Sequence, residues 1–209
     1  MKIAVILLIF LSTSFSEVGI SGFASVPVGE FADPAPSGGL AQTRFGVSAE
    51  FLGSVSPNML IGVEGDFILN TLDKQAFANY LLDQGATSAS VSGGNYFNFP
   101  VLAVASFLAP ISLENRISLF GGIGVDFLAM TDMDLTVNGN SGKAIFDPGA
   151  ALAWEVGAKI LFDYLFVGVK YMDLGKHTIN SELQSSSGNS NSTGDQKVAI
   201  IGILAGVKF

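Results

Sequence analysis

The chain has 209 residues, no cysteine and a formal net charge of −8. These numbers exclude disulfide and thiol chemistry, and they argue against nucleic-acid binding, whose affinity comes from neutralising phosphates. Only 13% of the residues are charged and 49% are hydrophobic, against a charged share of about 25% in ordinary soluble domains. High hydrophobicity without a membrane-spanning helix is typical of a membrane β-barrel, because alternation hides the signal within each strand.

The N-terminus has the layout of a secretory signal peptide. Lys2 supplies a positive charge, Ile3 to Leu11 is an unbroken apolar run, and Ser14-Phe15-Ser16 places small residues at −3 and −1 of a cut before Glu17. The apolar run is too short to span a membrane, which takes about 20 residues. We therefore predict a cleaved signal peptide at 1–16 and one barrel domain at 17–209. An uncleaved anchor or a buried strand is the alternative.

The rest of the chain alternates apolar and polar residues in segments of roughly ten residues, separated by polar linkers. This period of two indicates strands whose two faces see different surroundings. Pro100 cannot donate to a strand ladder, so we expect a bulge in the segment that contains it. The predicted strands are Val18–Val26, Arg44–Leu52, Met59–Leu69, Tyr96–Leu108, Arg116–Met130, Ala150–Leu161, Tyr164–Asp173 and a C-terminal strand that ends at Phe209.

The linkers between these strands alternate between short and long. Short turns at one end and long loops at the other are the asymmetry of outer-membrane barrels, with the long loops outside the cell. Two long linkers carry local signals: Gln75 to Leu82 fits a short helix, and Ser181 to Gly194 is Ser/Asn/Gly-rich and predicts a mobile loop tip. An even strand count places both termini at the short-turn end, where they can meet and close the cylinder.

Three segments and the last residue resemble a known family. They are Gly19–Phe31, Asn98–Leu102, Gly121–Val125 and the terminal Phe209. Together they resemble the eight-stranded outer-membrane barrels of bacteria, the OmpA/OmpX/OmpW type. The resemblance implies fold and location, and it implies that Phe209, Val207 and Ala205 form the signal that the barrel-assembly machinery recognises.

The inward-facing rows of the predicted strands collect charges of both signs. Unpaired charge is costly away from water, so we expect salt bridges that plug the lumen. A narrow gated pore lined by the same charges is the alternative. Apolar inward residues, namely Phe23, Leu102, Phe120, Leu128 and Met172, fit lumen packing or a small apolar conduit. The predicted lumen charges are Arg44, Glu50, Glu64, Asp66, Arg116, Asp126, Glu155, Lys159 and Lys170.

Two further groups of residues suggest chemistry. His177 is the only histidine, and a lipid-modifying barrel enzyme would use such a residue as a base; a solvated loop histidine is the simpler interpretation. Calcium prefers oxygen ligands, and a surface loop rich in turn formers fits the same residues. The candidate oxygen ligands are Asp132, Asp134, Asn138 and Asn140.

The sequence thus predicts an all-β protein: an eight-stranded antiparallel up-and-down transmembrane β-barrel in the outer membrane of a diderm bacterium. We expect a structural or surface-interaction role through the extracellular loops, with no catalytic, cofactor-binding or metal-binding residue. The expected partners are outer-membrane lipid and the assembly machinery, with a monomeric state and an unspecified loop partner. A small pore and a lipid-modifying enzyme are the alternative functions, and a soluble β-sandwich or lipocalin-like barrel is the rival fold.

Overall fold

The computed structural model describes residues 15–36, 38–112, 114–185 and 188–209 of the chain. The predicted signal peptide lies outside these residues, apart from the backbone of Phe15 and Ser16. The described strands are β1 (Phe15–Pro27), β2 (Ala41–Ser56), β3 (Met59–Leu72), β4 (Ala89–Gly93), β5 (Asn95–Asn98), β6 (Val101–Pro110), β7 (Asn115–Met130), β8 (Met133–Val137), β9 (Asn140–Phe146), β10 (Gly149–Phe162), β11 (Leu165–Ser185) and β12 (Gly188–Lys208).

Antiparallel pairing closes nine of the described strands into a ring. Within the described residues, β1 pairs with β2, and β2 pairs with β3. Strand β3 then pairs with both β5 and β6, and each of these two strands also pairs with β7. The ring continues through β10, β11 and β12, and β12 pairs with β1 from Gly19↔Lys208 to Pro27↔Ile200. Because β5 and β6 form one stave, the described part of the chain makes an eight-stave antiparallel up-and-down barrel. The predicted fold class is confirmed.

The barrel is apolar outside and polar inside. Along β6, successive residues alternate between exposed and buried from Val101 to Leu108. The outward row of β12 contains Ile201 and Ile203, both exposed, while Ile200 and Leu204 of the alternate row are buried. The period of two read from the sequence therefore corresponds to the two faces of the barrel wall.

Pro100 interrupts its strand without shifting the register. β5 and β6 meet β3 on one register, with Ile68↔Asn98 before the proline and Gly65↔Val101 after it. The Pro100 carbonyl still accepts a hydrogen bond from the Asp66 amide at 3.0 Å. The predicted bulge is therefore wrong, because Pro100 removes only its own donor and no extra residue enters the strand.

The two ends of the barrel differ as predicted. At the short-turn end, Pro57-Asn58 joins β2 to β3 and Asp163-Tyr164 joins β10 to β11. Asp163 has a φ of +53°, the left-handed conformation that tight hairpin turns need. The C-terminus closes the ring at this end, where Phe209 and Val18 exchange backbone hydrogen bonds of 2.8 and 3.0 Å.

At the other end, the same sheet extends beyond the barrel and includes three more strands. β4, β8 and β9 add to the long hairpin of β11 and β12, in the order β12-β11-β9-β8-β4. We call β4, β8, β9, residues 175–185 of β11 and residues 188–198 of β12 the upper sheet. The predicted mobile loop tip at Ser181 to Gly194 is wrong, because both sides of this segment form ladder pairs such as Ser181↔Ser192.

One helix lies beside the upper sheet. Helix α1 (Lys74–Asp83) confirms the predicted helix, and the Asp73 side chain caps it by accepting a hydrogen bond from the Ala76 amide at 2.9 Å. No helix within the described residues is long and apolar enough to cross a membrane.

An irregularity in β11 exchanges its two faces. The β11–β12 register shifts between Asp173 and Gly175, which leaves Leu174 unpaired and fully buried. Below this bulge, odd-numbered residues of β11 such as Val169 face outward; above it, even-numbered residues such as Lys176 do so and His177 faces inward. The bulge therefore decides which side chains of the upper sheet continue the exterior of the barrel.

Candidate functional site

Lys170 lies at the centre of the lumen and joins three strands. Its Nζ atom is 2.6 Å from Glu64 Oε1, 2.9 Å from Asp66 Oδ2 and 3.4 Å from Glu155 Oε2. The Phe23 ring lies on another side of the ammonium, at 4.8 Å from its centroid. Three carboxylates surround one cation, and all of these charged groups are buried. The ammonium therefore neutralises part of a charge that would be very costly without it.

A second ion pair lies nearer the short-turn end. Lys159 Nζ is 2.6 Å from Glu50 Oε2, and it lies over the rings of Phe120 and Phe166 at 4.5 and 5.1 Å. Ser48 donates a hydrogen bond to Glu64 Oε1 and so links this level to the Lys170 cluster. Cation–π contacts favour a desolvated ammonium, and they stabilise Lys159 where water is scarce.

A third polar cluster lies toward the upper sheet. Asp126 Oδ2 accepts a hydrogen bond from Asn98 Nδ2 at 2.6 Å and lies 3.0 Å from His177 Nε2. The same Nε2 atom is 3.0 Å from the Leu174 carbonyl. The interpretation of His177 as a solvated loop residue is wrong, since the Leu174 bulge directs it into the lumen, where it is fully buried.

His177 contacts no serine hydroxyl among the described residues. Its Nδ1 atom has no hydrogen-bond partner among the described residues, and a Cβ atom on Gly149 would lie 3.5 Å from it. The contacts of Nε2 are to a carboxylate and a backbone carbonyl, so no serine hydroxyl of the described chain hydrogen-bonds to this ring. The pairing of nucleophile and base that an acyl-transfer enzyme uses is therefore not formed here.

The segment after β1 folds over the upper mouth of the lumen. Phe31 is fully buried and packs edge-to-face on Tyr96, with ring centroids 5.1 Å apart. The Tyr96 hydroxyl donates a hydrogen bond to the Gly39 carbonyl at 2.6 Å, and Ser25 donates one to Asn70 at 3.0 Å just below. This aromatic cap separates the lumen from the long-loop end.

Little space is left between these layers. A cavity beside Glu50 and Lys159 has a volume of about 10 Å³, which is room for about one water. A wider opening of about 550 Å³ lies at the short-turn end and is lined by Glu114, Arg116 and Asp163, among others. Among the described residues, the lumen is thus open at its lower mouth and filled by side chains above it.

The predicted lumen charges divide into two groups. Arg44 and Arg116 have the inward parity of their strands but lie at opposite rims, where both are exposed. Arg44 donates a hydrogen bond to Thr71 there. The prediction that Arg44 and Arg116 lie inside the lumen is therefore wrong. The inward-facing side chains at the two ends of a strand lie at the rim of the barrel, where they contact water. The structure buries the others: Glu50, Glu64, Asp66, Asp126, Glu155, Lys159 and Lys170.

Among the described residues, acidic side chains close enough together to hold a metal occur in the lumen but not in the candidate calcium loop. Oxygens of Glu64, Asp66 and Glu155 lie within 4.8 Å of one another, but Lys170 already supplies a cation to all three.

The oxygen ligands suggested for calcium are spread over a hairpin. Asp132 precedes β8 and pairs with Lys143 at 2.7 Å, whereas Asn138 lies in the turn after β8 and binds the backbone and hydroxyl of Thr87. A strand as long as β8 separates such ends by about 16 Å, so Asp132, Asp134, Asn138 and Asn140 do not converge on one ion. Asn138 and Gly139 have φ values of 52° and 79°, and this Asn-Gly pair forms the hairpin turn instead.

The residues suggested as an assembly signal lie at the seam between first and last strands. Ala205 pairs with Gly22 and Val207 with Ile20, and the Phe209 side chain is 77% exposed. They lie together at the closing edge of the barrel, on or near its exterior.

The upper sheet has a polar surface and an open edge. Residues 188–195 of β12 are all exposed, and β1 pairs with β12 only as far as Ile200. Among the described residues, this stretch therefore has a strand neighbour on one side only. The Asn180 carbonyl accepts from the Asp147 amide, so by alternation the backbone groups of Asn191 and Thr193 point to the open edge.

Ion pairs also form between exposed side chains of the upper sheet. Lys176 Nζ lies 2.8 Å from Asp195 Oδ2, and Thr178 donates a hydrogen bond to the same carboxylate at 3.0 Å. Both contacts lower the pKa of Asp195, and the hydrogen bond to Asp195 raises the pKa of Lys176. The Lys143 pKa is raised in the same way by Asp132. These exposed pairs join neighbouring segments of the upper sheet at its surface.

No protein-family model and no curated protein sequence matches this chain. Among solved structures it is similar to Ail, the attachment invasion locus protein of Yersinia pestis, at 16% identity and a TM-score of 0.49, over 92% of this chain and 98% of Ail. It is also similar to Ail in complex with the heparin analogue sucrose octasulfate, at 16% identity and a TM-score of 0.48 over the same shares of both chains. At this identity and score, the likeness assigns no role to any residue of this chain.

Proposed function

We propose that this chain is an integral outer-membrane protein of a diderm bacterium that acts by surface contact through its upper sheet. The observation that carries the proposal is the contrast between the interior of the barrel and its upper sheet. The lumen is filled by buried ion pairs and capped by Phe31 and Tyr96. The upper sheet, in contrast, presents an ordered polar surface with an open strand edge.

The exterior of the barrel supports placement in a membrane. Leu152 is 77% exposed and Ile123 is 66% exposed, and apolar area in water costs about 25 cal/mol per Å². A lipocalin-like soluble barrel would bury these rows and expose the charged ones, which is the reverse of the observed arrangement. Lipid acyl chains would cover the exposed band. We place the long-loop end outside the cell, as in other barrels with this asymmetry.

The open edge of β12 supports contact with a partner. Unpaired backbone groups on an edge strand can accept an extended segment of another chain as an additional strand. Residues 188–194 of this edge carry no charge, so their side chains repel neither an acidic nor a basic partner. The assembly machinery, acting on Ala205, Val207 and Phe209, remains the expected partner during biogenesis, with a monomer as the functional state.

A conduit for ions or small solutes is the second candidate, and the buried charges of the lumen favour it. Charged rings are the means by which narrow pores select ions. Passage would require the Lys170 and Lys159 clusters and the aromatic cap to separate, because the cavity beside Glu50 and Lys159 has room for about one water.

The surface-contact proposal is tested by shortening the upper sheet while keeping the barrel. Replacing residues 182–191 with an Asn-Gly turn removes the segment of β11 on which β9 pairs. We expect this variant to insert into membranes normally, and cells that display it to lose attachment to cultured cells and to one another. A replacement of the short-turn linker 111–114 is the matched control. Unchanged attachment by the shortened variant, or attachment no stronger than that of cells without the protein, would overturn the proposal.

A further inference from the structure

The upper sheet contains a pocket on the side that continues the exterior of the barrel. Its volume is about 270 Å³, just below the roughly 300 Å³ at which pockets for drug-sized molecules begin. It lies where β9 ends at Phe146 and Pro148 separates that strand from β10. The lining residues are Ile145, Asp147, Asn180, Ser181, Glu182, Asn191, Ser192 and Thr193.

The register of the strands fixes which way this pocket faces. His177 and Val198 are fully buried and face the lumen. By alternation, Asn180 and Thr193 lie on the opposite, outward face of the sheet. The outward row of β11 below the Leu174 bulge, which includes Val169, is the apolar exterior of the barrel. The pocket therefore lies on the membrane-facing side of the barrel, above its apolar band.

Several hydrogen-bonding groups in the pocket are free. The carboxylate of Asp147 and the amide of Asn191 make no side-chain hydrogen bond with any described residue. Asn180 uses its Oδ1 atom to accept from Thr193 at 3.0 Å, which leaves its Nδ2 donor free. Glu182 accepts from Gln184 and Asn189 through Oε1 alone, so Oε2 is also free. Free acceptors and free donors thus both border one small space, beside the apolar side chain of Ile145.

This combination fits the hydroxyl groups of a neutral sugar. Each sugar hydroxyl donates one hydrogen bond and accepts others, so it matches carboxylate acceptors beside amide donors. Two carboxylates disfavour an anionic ligand, and no lysine or arginine lines the pocket to attract one. Ile145 offers a surface for the C–H groups of the ring.

We propose that this pocket binds a neutral hexose in the saccharide portion of an outer-leaflet glycolipid beside the barrel. The assignment rests on the proposed function, because it needs the barrel to be inserted with its long-loop end outside. Contact with the acyl chains along the apolar band and with the sugar at the pocket would then engage one glycolipid molecule at two levels. Asp147 and Asn191 are the residues that contact the sugar.

The test uses the full mature chain in detergent micelles and, as the probe, the dephosphorylated core oligosaccharide released from lipopolysaccharide. We expect saturable changes in backbone amide NMR signals around Asn180 and Asn191. Replacing both Asp147→Ala and Asn191→Ala should weaken this binding about tenfold or more. The variant with Asn79→Ala and Asp83→Ala removes the same side-chain types from helix α1 and should bind as the wild type does.

Three results would overturn the inference: no saturable change, equal binding by both double variants, or binding of maltohexaose in preference to the core oligosaccharide. Flotation of the same preparations with lipid vesicles separates this failure from that of the proposed function. A chain that floats but binds no sugar contradicts the pocket assignment alone. A chain that does not float contradicts membrane insertion, and the pocket assignment with it.

Discussion

Lys170 Nζ lies 2.6 Å from Glu64 Oε1, although the two residues are 106 positions apart in the sequence. The contact crosses the barrel from β11 to β3, and Asp66 and Glu155 join it from two directions. A single side chain thus connects β11 with β3, a strand with which β11 shares no ladder. These contacts cross the lumen and fill it at the level of Lys170.

Replacing Lys170 should destabilise the barrel strongly. Lys170→Met removes the cation and leaves three buried carboxylates together, and breaking a buried pair in this way costs about 3–5 kcal/mol. Urea unfolding in lipid vesicles measures this change. Lys143→Met, which removes an exposed ion pair with Asp132, is the control and should change stability little.

A second substitution distinguishes electrostatics from lost packing. Adding Glu155→Gln to Lys170→Met removes one of the unpaired charges, so we expect part of the lost stability to return. A double-mutant cycle measures the coupling between the two sites. Strictly additive losses would contradict the charge-based explanation.

Asp195 should titrate at unusually low pH. Lys176 and Thr178 lower its pKa from the ordinary value of 3.8. Because the folded pKa is depressed, the contribution of this group to the upper sheet is complete above the unfolded pKa and is lost as pH falls through the folded pKa. Carbon-detected NMR of the Asp195 carboxyl tests this. Lys176→Met should return the pKa toward 3.8, and an unchanged pKa would show that the ion pair is not formed.

Spin labels should report the two faces of the last strand. The chain has no cysteine, so single cysteines can be placed at Ile203, Leu204 and Thr193. In lipid vesicles, a label at Ile203 should collide freely with oxygen, one at Leu204 should be shielded, and one at Thr193 should meet a water-soluble nickel complex. Greater nickel than oxygen access at Ile203 would indicate a soluble barrel.

The sequence predicts the barrel well because each stave separates two environments. Alternation is strong along β6 and β7, where one face meets the exterior and the other meets the lumen. The tip of the upper sheet has no such contrast, since residues 188–195 of β12 are exposed whichever way they point. A Ser/Asn-rich strand of this kind gives no period of two, and the sequence segment therefore reads as a loop.

The burial of His177 also depends on information that alternation does not carry. The residue faces inward because Leu174 bulges and exchanges the faces of β11. Its contact with Asp126 joins residues 51 positions apart, a separation that follows from strand order and register together. The exposure of Arg44 and Arg116 has a similar origin, because parity gives the direction of a side chain but not its height in the barrel.

The most direct test of the sealed lumen is the conductance of the refolded chain, residues 17–209, in planar lipid bilayers, with insertion verified by protease protection. The filled lumen predicts a stably inserted protein that passes no discrete current, and Glu155→Gln and Lys159→Met should be equally silent where they fold. Discrete channel openings whose conductance changes with either substitution would contradict the account, and they would show that the buried charges line an open path.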